Sequence, residues 1–332
     1  MKACVLAVAF IISVSVRAEG PPPIEHIELV PNNVRIKREK LARAVQYHIK
    51  NLGDSDADVR QSSIEMLAAL GATRPTFPAL IAVLDPCRHE QIAVEIAALN
   101  ALRKLTNNTL DFRDYDAWKT WWDEESKLSD AAFVTQALAW SGKTDPLLLM
   151  YSFWEGPLVL GRTGKALKID IRESGVTSIL TWPARVVEWS MFSEAANSNW
   201  NTVSQFILDG SEMDRLLLLM RGSNLIQNME TIEQDITQEI VSSGHFKSAD
   251  YDGAVEILEV SYNRKSAKVR EYQFPETEKA YPNVPSVKAI GATLKEIVSF
   301  VDKHAPKALG QSLARLRGED ATSEYLIFPL EK

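Results

Sequence analysis

The chain has 332 residues, of which 45% are hydrophobic and 24% charged, with a formal net charge of −7 at pH 7. These proportions are ordinary for a globular protein, and the length leaves room for two domains. A mildly acidic chain without a basic stripe is a poor candidate for binding nucleic acid or an anionic membrane surface. The composition therefore argues against both of these classes.

The first 18 residues have the pattern of a cleavable signal peptide. Lys2 supplies a short basic start, an apolar run follows from Ala3 to Val16, and Ala18 offers a small residue for cleavage. The apolar run is shorter than the ~20 residues that a membrane span needs. We therefore predict cleavage after Ala18 and an exported protein, secreted or periplasmic. No later run of the sequence is apolar for long enough to cross a bilayer.

Removal of this segment changes the charge and the cysteine content of the chain. With Lys2 and Arg17 gone, the net charge of −7 falls by two to −9. Of the two cysteines, Cys87 alone remains, so the exported chain can form no internal disulfide. We expect its stability to come from an apolar core, without a metal or cofactor.

Residues 19–37 are predicted to form a proline-rich leader, of which 19–33 is expected to be extended. From residue 38 to 125 the apolar spacing is that of paired helices. Four helices are predicted, near residues 38–52, 58–70, 75–84 and 90–105. The apolar pair Leu67/Leu70 recurs 35 residues later at Leu102/Leu105, a period typical of an α-solenoid.

This segment resembles the HEAT-repeat family. The resemblance rests on Asp58-Val59-Arg60 followed by Ile64, Leu67, Leu70 and Gly71, and on the run from Ala98 to Thr106. It covers 38–125, under a third of the chain. The family implies a short α-α superhelix and, most often, a role as a protein-binding scaffold.

A cluster of tryptophans follows the repeats. Phe112 and Trp118-Lys119-Thr120-Trp121-Trp122 resemble the tail that closes some HEAT arrays, although Asn107 and Arg113 stand where that tail has glycines. Spacings of three and four residues place the three tryptophans on one side of a helix. We predict that Trp118, Trp121 and Trp122 seal the last helix pair, the alternative being that they form a contact surface for a partner.

Behind a connecting segment, 126–144, in which Phe133, Ala137 and Trp140 indicate a short helix, the pattern changes to strands. Residues 145–332 are predicted to form an α+β domain. Its strands are expected at 147–154, 166–172, 176–182, 186–192, 200–208, 254–262, 267–274 and 325–330. Ser211-x-x-Asp214 is interpreted as a capping box, Thr231 as the cap of a second helix, and Pro285 as the start of an amphipathic helix.

No catalytic, cofactor-binding or metal-binding motif is recognisable in the sequence. The five histidines are scattered, and Cys87-x-His89 is too small a set for a zinc site. Cys87 is interpreted as a buried thiol beside an exposed histidine. Asp111 and Asp114 are interpreted as turn or cap residues ahead of the Trp118 helix.

Together these features predict an exported, non-enzymatic protein that binds another protein through a short HEAT-like surface. The alternative is an enzyme or enzyme inhibitor whose active surface lies in the α+β domain. Such a surface would be built from strand-end loops such as 155–164 or 193–201.

Overall fold

The computed structural model describes residues 34–108, 110, 114–155, 165–181, 200–243, 254–271 and 274–305. The predicted signal peptide (1–18), most of the leader, and the strands predicted at 186–192 and 325–330 lie outside these residues. The described residues fall into two compact units. One contains 36–127 and 139–142, and the other contains 34–35, 128–138 and 143–305.

The first unit is helical. The elements are α1 (Val34–Asn51), α2 (Ala57–Leu70), α3 (Thr76–Val83), a 3₁₀ turn (Pro86–Arg88), α4 (Ile92–Thr106), α5 (Tyr115–Glu125) and α6 (Asp130–Trp140). Helices α1 and α6 lie only partly in this unit, because residues 34–35 and 128–138 belong to the second unit. The four helices predicted between 38 and 105 are confirmed. The first of them, α1, begins at Val34, four residues before its predicted start. The stretch expected to be extended, 19–33, lies outside the described residues.

The helix ends follow local chemistry. Asp56 caps α2 by accepting a hydrogen bond from the backbone N–H of Asp58, and Gly71 ends the helix with a φ of 97°. Asp114 caps α5 through the N–H of Ala117, which confirms its predicted role. The predicted apolar stripe of α4 is buried, and it comprises Val94, Ala98, Leu102 and Leu105.

The second unit contains one six-stranded antiparallel sheet with helices. Its strands are β1 (Leu147–Glu155), β2 (Lys165–Arg172), β3 (Val176–Thr181), β4 (Asn201–Ile207), β5 (Ala254–Tyr262) and β6 (Lys265–Glu271), in the order β4-β3-β2-β1-β5-β6. Its further helices are α7 (Gly210–Gly222), α8 (Leu225–Ser243), α9 (Phe274–Ala280) and α10 (Pro285–His304). The predicted mixture of helices and strands in this half is confirmed.

The core of this unit lies between the sheet and the helices. Tyr151 of β1 pairs with Ile169 of β2 and Leu258 of β5, and all three side chains are buried. The predicted stripe of α10 joins the same buried cluster, and it comprises Val287, Ile290, Leu294, Ile297 and Val301. The apolar residues of α10 recur at the helical period of 3.6 residues because this face of the helix packs on the core.

Two predicted helix caps in this unit were wrong. The capping box of α7 is formed by Asp209 and Glu212, not by Ser211 and Asp214. Asp214 instead accepts a 2.6 Å hydrogen bond from the N–H of Val34. Thr231 lies inside α8, which begins at Leu225.

The turn between β5 and β6 is shorter than the four residues, 263–266, that separate the two predicted strands. It consists of Asn263 and Arg264, both with positive φ, and Tyr262 pairs directly with Lys265. Positive φ at both central residues matches the twist of paired strands, so β6 begins two residues earlier than its apolar pattern indicated.

Gly210 and Gly222 lie at the two ends of α7. Substitution by alanine is expected to have different effects on stability at these two positions. A Cβ at Gly210 would lie 2.7 Å from the Cα of Arg35, whereas a Cβ at Gly222 would meet open space. We expect Gly210→Ala to lower the free energy of unfolding by about 1–3 kcal/mol through overpacking. Gly222→Ala should leave it unchanged or raise it by up to about 1 kcal/mol. Urea unfolding of the two variants checks this, and equal stabilities would contradict the close approach at Gly210.

Candidate functional site

The three predicted tryptophans lie together in the helical unit, around Phe77 of α3. The Phe77 ring stacks on Trp122 at 5.2 Å between centroids and meets Trp121 edge-on at 5.5 Å. The ring centroids of Trp118 and Trp121 are 5.6 Å apart, and those of Phe77 and Trp140 of α6 are 5.7 Å apart. The structure therefore brings all three sequence-predicted residues into one aromatic cluster.

The members of this cluster differ in burial. Trp118 and Phe77 are fully buried, whereas Trp121 and Trp122 are half-buried. A fully buried ring cannot contact a partner protein, so Trp118 acts as a core residue where α5 packs on α3. This is the geometry expected of residues that cover the apolar face of the last helix pair.

A groove lies between α2 and α4, and the sequence did not single it out. It has a volume of about 320 Å³. Four of its nine lining residues are alanines, and four others are polar or charged. The lining residues on α2 are Gln61, Glu65 and Ala68, and those on α4 include Ala93, Ile96, Ala97, Asn100, Ala101 and Lys104.

An ion pair joins the two helices that form the groove. Arg60 in the first turn of α2 binds Glu90, just before α4, through Nε at 3.0 Å and Nη2 at 2.6 Å. Its Nη1 donates to the carbonyls of Asp54 and Ser55. The pair therefore links the N-terminal ends of α2 and α4.

Two exposed isoleucines lie on α4, and one of them, Ile96, lines the groove. Ile92 is 70% exposed and Ile96 is 44% exposed. They are four residues apart and therefore share one face of α4, separate from its buried stripe. Large apolar side chains at this exposure indicate a contact surface when they are grouped. Their position off the core-facing stripe is the signal by which sequence reasoning could have found them.

His89 is exposed as predicted, but Cys87 is not buried. Both residues are exposed on the turn between α3 and α4, so the prediction of a buried thiol at Cys87 was wrong. The reason is local, because Asp85 caps the 3₁₀ turn by accepting from the N–H of Cys87, and the turn projects outward. Across the described ranges, no group of three or more histidine, cysteine or acidic side chains is placed to hold a metal.

The second unit contains buried charged groups with structural partners. Glu212 is buried and accepts hydrogen bonds from Lys303 Nζ at 2.6 Å and from the backbone N–H of Asp209 at 2.8 Å. Its Oε1 also lies 2.9 Å from His304 Nε2. Burial by itself raises the pKa of Glu212, but these hydrogen bonds outweigh it and hold the pKa below its ordinary value. This carboxylate ties the start of α7 to the end of α10.

Two further acids lie on opposite faces of the sheet. Glu256 accepts a 2.7 Å hydrogen bond from the N–H of Phe274 at the start of α9. Burial, and then the charge of Glu256, raise the pKa of the Tyr151 phenol well above its ordinary value. Asp170 pairs with Lys168 at 3.1 Å, and burial raises the pKa of its carboxyl. Each acid therefore has a partner within the fold, which indicates a structural role.

Most of the loops predicted to carry an active surface, 155–164 and 193–201, lies outside the described residues. The groove between α2 and α4, by contrast, is built from described residues throughout. Among the helices that the structure describes, none combines the length and apolarity needed to cross a bilayer. In comparisons with known proteins, no family model and no curated protein matches the chain.

Proposed function

We propose that this is an exported, non-enzymatic protein that binds another protein through the groove between α2 and α4. In this proposal the helices of 34–125 form a short HEAT-like solenoid, and the α+β unit follows as a separate module. The observation that carries the proposal is the groove itself, which Ile96 and four alanines line, with the exposed Ile92 one helical turn before Ile96 on α4. Such a surface favours contact with a partner over chemistry, because its polar side chains do not form a nucleophile–base pair.

Burial of the isoleucines supplies a driving force for this contact. Fully burying an exposed isoleucine is worth roughly 1.5–3 kcal/mol. Two such residues at helical spacing, with a trough beside them, resemble the anchor positions by which helical surfaces hold partners. The Arg60–Glu90 pair supports the site by holding the walls in fixed register.

The test is photo-crosslinking with a benzoylphenylalanine placed at residue 92. The matched control places the same group at residue 218 of α7, where Leu218 is 71% exposed. In the exported fraction of the source cells, we expect a discrete adduct at 92 that is absent at 218. The adduct should weaken at least tenfold when Ile96→Asp is added. Equal adducts at both positions, or an adduct that Ile96→Asp leaves unchanged, would contradict the proposal.

Export is the second part of the proposal, and it is supported by the pattern of Met1–Ala18. We expect the protein in the secreted or periplasmic fraction to begin at Glu19. Intact-mass spectrometry of that material decides the matter. A mass that still includes Met1–Ala18 would show that the segment is retained.

A further inference from the structure

The first helix is basic, although the chain as a whole is acidic. α1 contains six lysine and arginine residues and one glutamate, a net charge of +5 in a chain whose net charge is −7. Exposed residues at spacings of three and four follow one side of this helix, and they are Ile36, Lys40, Arg43, Tyr47 and Lys50. We call these five residues the basic face of α1. Ile36 and Tyr47 are each 37% exposed, so the face also offers apolar surface.

Helix α8 has the opposite charge. It contains four acidic residues and no lysine or arginine, a net charge of −4. Its exposed side includes Glu230, Glu233, Thr237 and Val241, which we call the acidic face of α8. Val241 is 79% exposed, and an open hollow of about 460 Å³ lies along this face. Both faces therefore combine charge of one sign with exposed apolar surface.

The charged residues of the two faces have no ion-pair partner within the part of the chain that the structure describes. Exposed lysines on other helices do have partners. Lys127 pairs with Glu124 at 2.7 Å, and Lys295 pairs with Glu278 at 2.6 Å. The two faces thus leave charges of opposite sign available for a contact outside the chain.

We propose that the basic face of α1 binds the acidic face of α8 in a second copy of this chain. Charge complementarity carries the choice of partner, because the chain itself presents both unpaired faces and they have opposite signs. The contact joins unlike faces, so it is heterologous and links copies head to tail. None of its residues lines the groove between α2 and α4, so the contact is a second interaction surface beside the proposed one.

The contact should be weak and sensitive to salt. Exposed ion pairs contribute modestly to binding, and salt screens them. We expect sedimentation equilibrium at low salt to show a mean mass above that of the monomer at protein concentrations of about 0.1 mM, and the monomer mass at high salt.

Charge-reversed variants identify the two faces. In Lys40→Glu/Arg43→Glu both faces are acidic, and in Glu230→Lys/Glu233→Lys both are basic. Each variant alone should associate at least tenfold more weakly than the parent, because like charges then oppose each other. An equimolar mixture of the two variants should associate again, since the basic face of one variant can bind the acidic face of the other.

A matched control separates this contact from an effect of net charge. Asp123→Lys/Glu124→Lys reverses two exposed acids of α5 and changes the net charge by the same amount as Glu230→Lys/Glu233→Lys. It should associate like the parent. Circular dichroism and thermal melting establish that each variant is folded before its association is compared.

An anionic membrane is the other surface that would attract the basic face. Sedimentation with phosphatidylserine vesicles tests this alternative, and we expect the parent and Lys40→Glu/Arg43→Glu to remain equally in the supernatant. A parent chain that stays monomeric at low salt overturns the contact between copies, and vesicle binding that the reversal abolishes would then assign the basic face to a membrane. Association that both double variants retain, or a mixture that stays monomeric, also overturns it.

Discussion

Trp118→Ala is expected to lower the free energy of unfolding of the helical unit by about 3–5 kcal/mol, the cost of truncating a buried tryptophan. Trp118 is fully buried and contacts Trp121, which in turn packs on Phe77. The substitution leaves a large cavity where α5 meets α3. Because a domain is stable by only ~5–15 kcal/mol, denaturant unfolding followed by tryptophan fluorescence and circular dichroism should show a large shift in midpoint.

Two variants serve as controls for this result. The indole N–H of Trp118 has no hydrogen-bond partner among the described residues, so Trp118→Phe loses volume but no hydrogen bond. It should cost less than half as much as Trp118→Ala. Trp122→Ala removes a half-buried ring and should lie between the two. If Trp118→Ala unfolds like the parent, then Trp118 does not close the helical unit.

Arg60→Ala is expected to destabilise the helical unit by about 1.5–3 kcal/mol, the contribution of hydrogen bonds to charged groups. The side chains of Arg60 and Glu90 are 13% and 8% exposed, so the pair is partly buried. The variant also removes the donor to the carbonyls of Asp54 and Ser55. By contrast, Lys127→Ala breaks an exposed pair with Glu124 and should cost at most about 1 kcal/mol. Urea unfolding of both variants provides the comparison.

The contribution of Glu90 should also depend on pH. The hydrogen bond from Arg60 lowers the pKa of the Glu90 carboxyl below its ordinary value. A carboxyl whose pKa is lower in the folded state stabilises the fold above its unfolded pKa of about 4.3, and this stabilisation is lost as the pH falls through the folded value. The stability difference between the parent and Glu90→Gln should therefore shrink below about pH 4. A difference that stays constant from pH 7 to pH 3 would contradict this assignment.

The helical unit was largely predictable, because its signals are local. The apolar spacing of α4, the stop at Gly71 and the cap at Asp114 each act within a few residues of chain. The need to cover the last helix pair predicted that at least one of the three tryptophans is a core residue, but not that this residue is Trp118. Periodicity and capping together specify such elements without knowledge of the distant chain.

Predictions that required distant partners failed or were missed. Ser211-x-x-Asp214 satisfies the capping pattern. However, the Asp214 carboxylate accepts a hydrogen bond from the N–H of Val34, 180 residues earlier in the chain. Asp209, with Glu212 three residues later, is the box that forms. The groove was missed because it consists of two helix faces, and sequence spacing alone does not show which faces pack together.

The most direct test of the protein-binding role is the affinity of the partner captured at residue 92, once mass spectrometry has identified it. Titration calorimetry compares the parent chain with Ile96→Asp and with the matched surface variant Leu218→Asp. We predict that Ile96→Asp weakens binding at least tenfold, a loss of 1.4 kcal/mol or more, since it removes apolar contact and buries a charge. Leu218→Asp should leave the affinity unchanged. Equal affinities for all three proteins would contradict the assignment of the groove as the binding site.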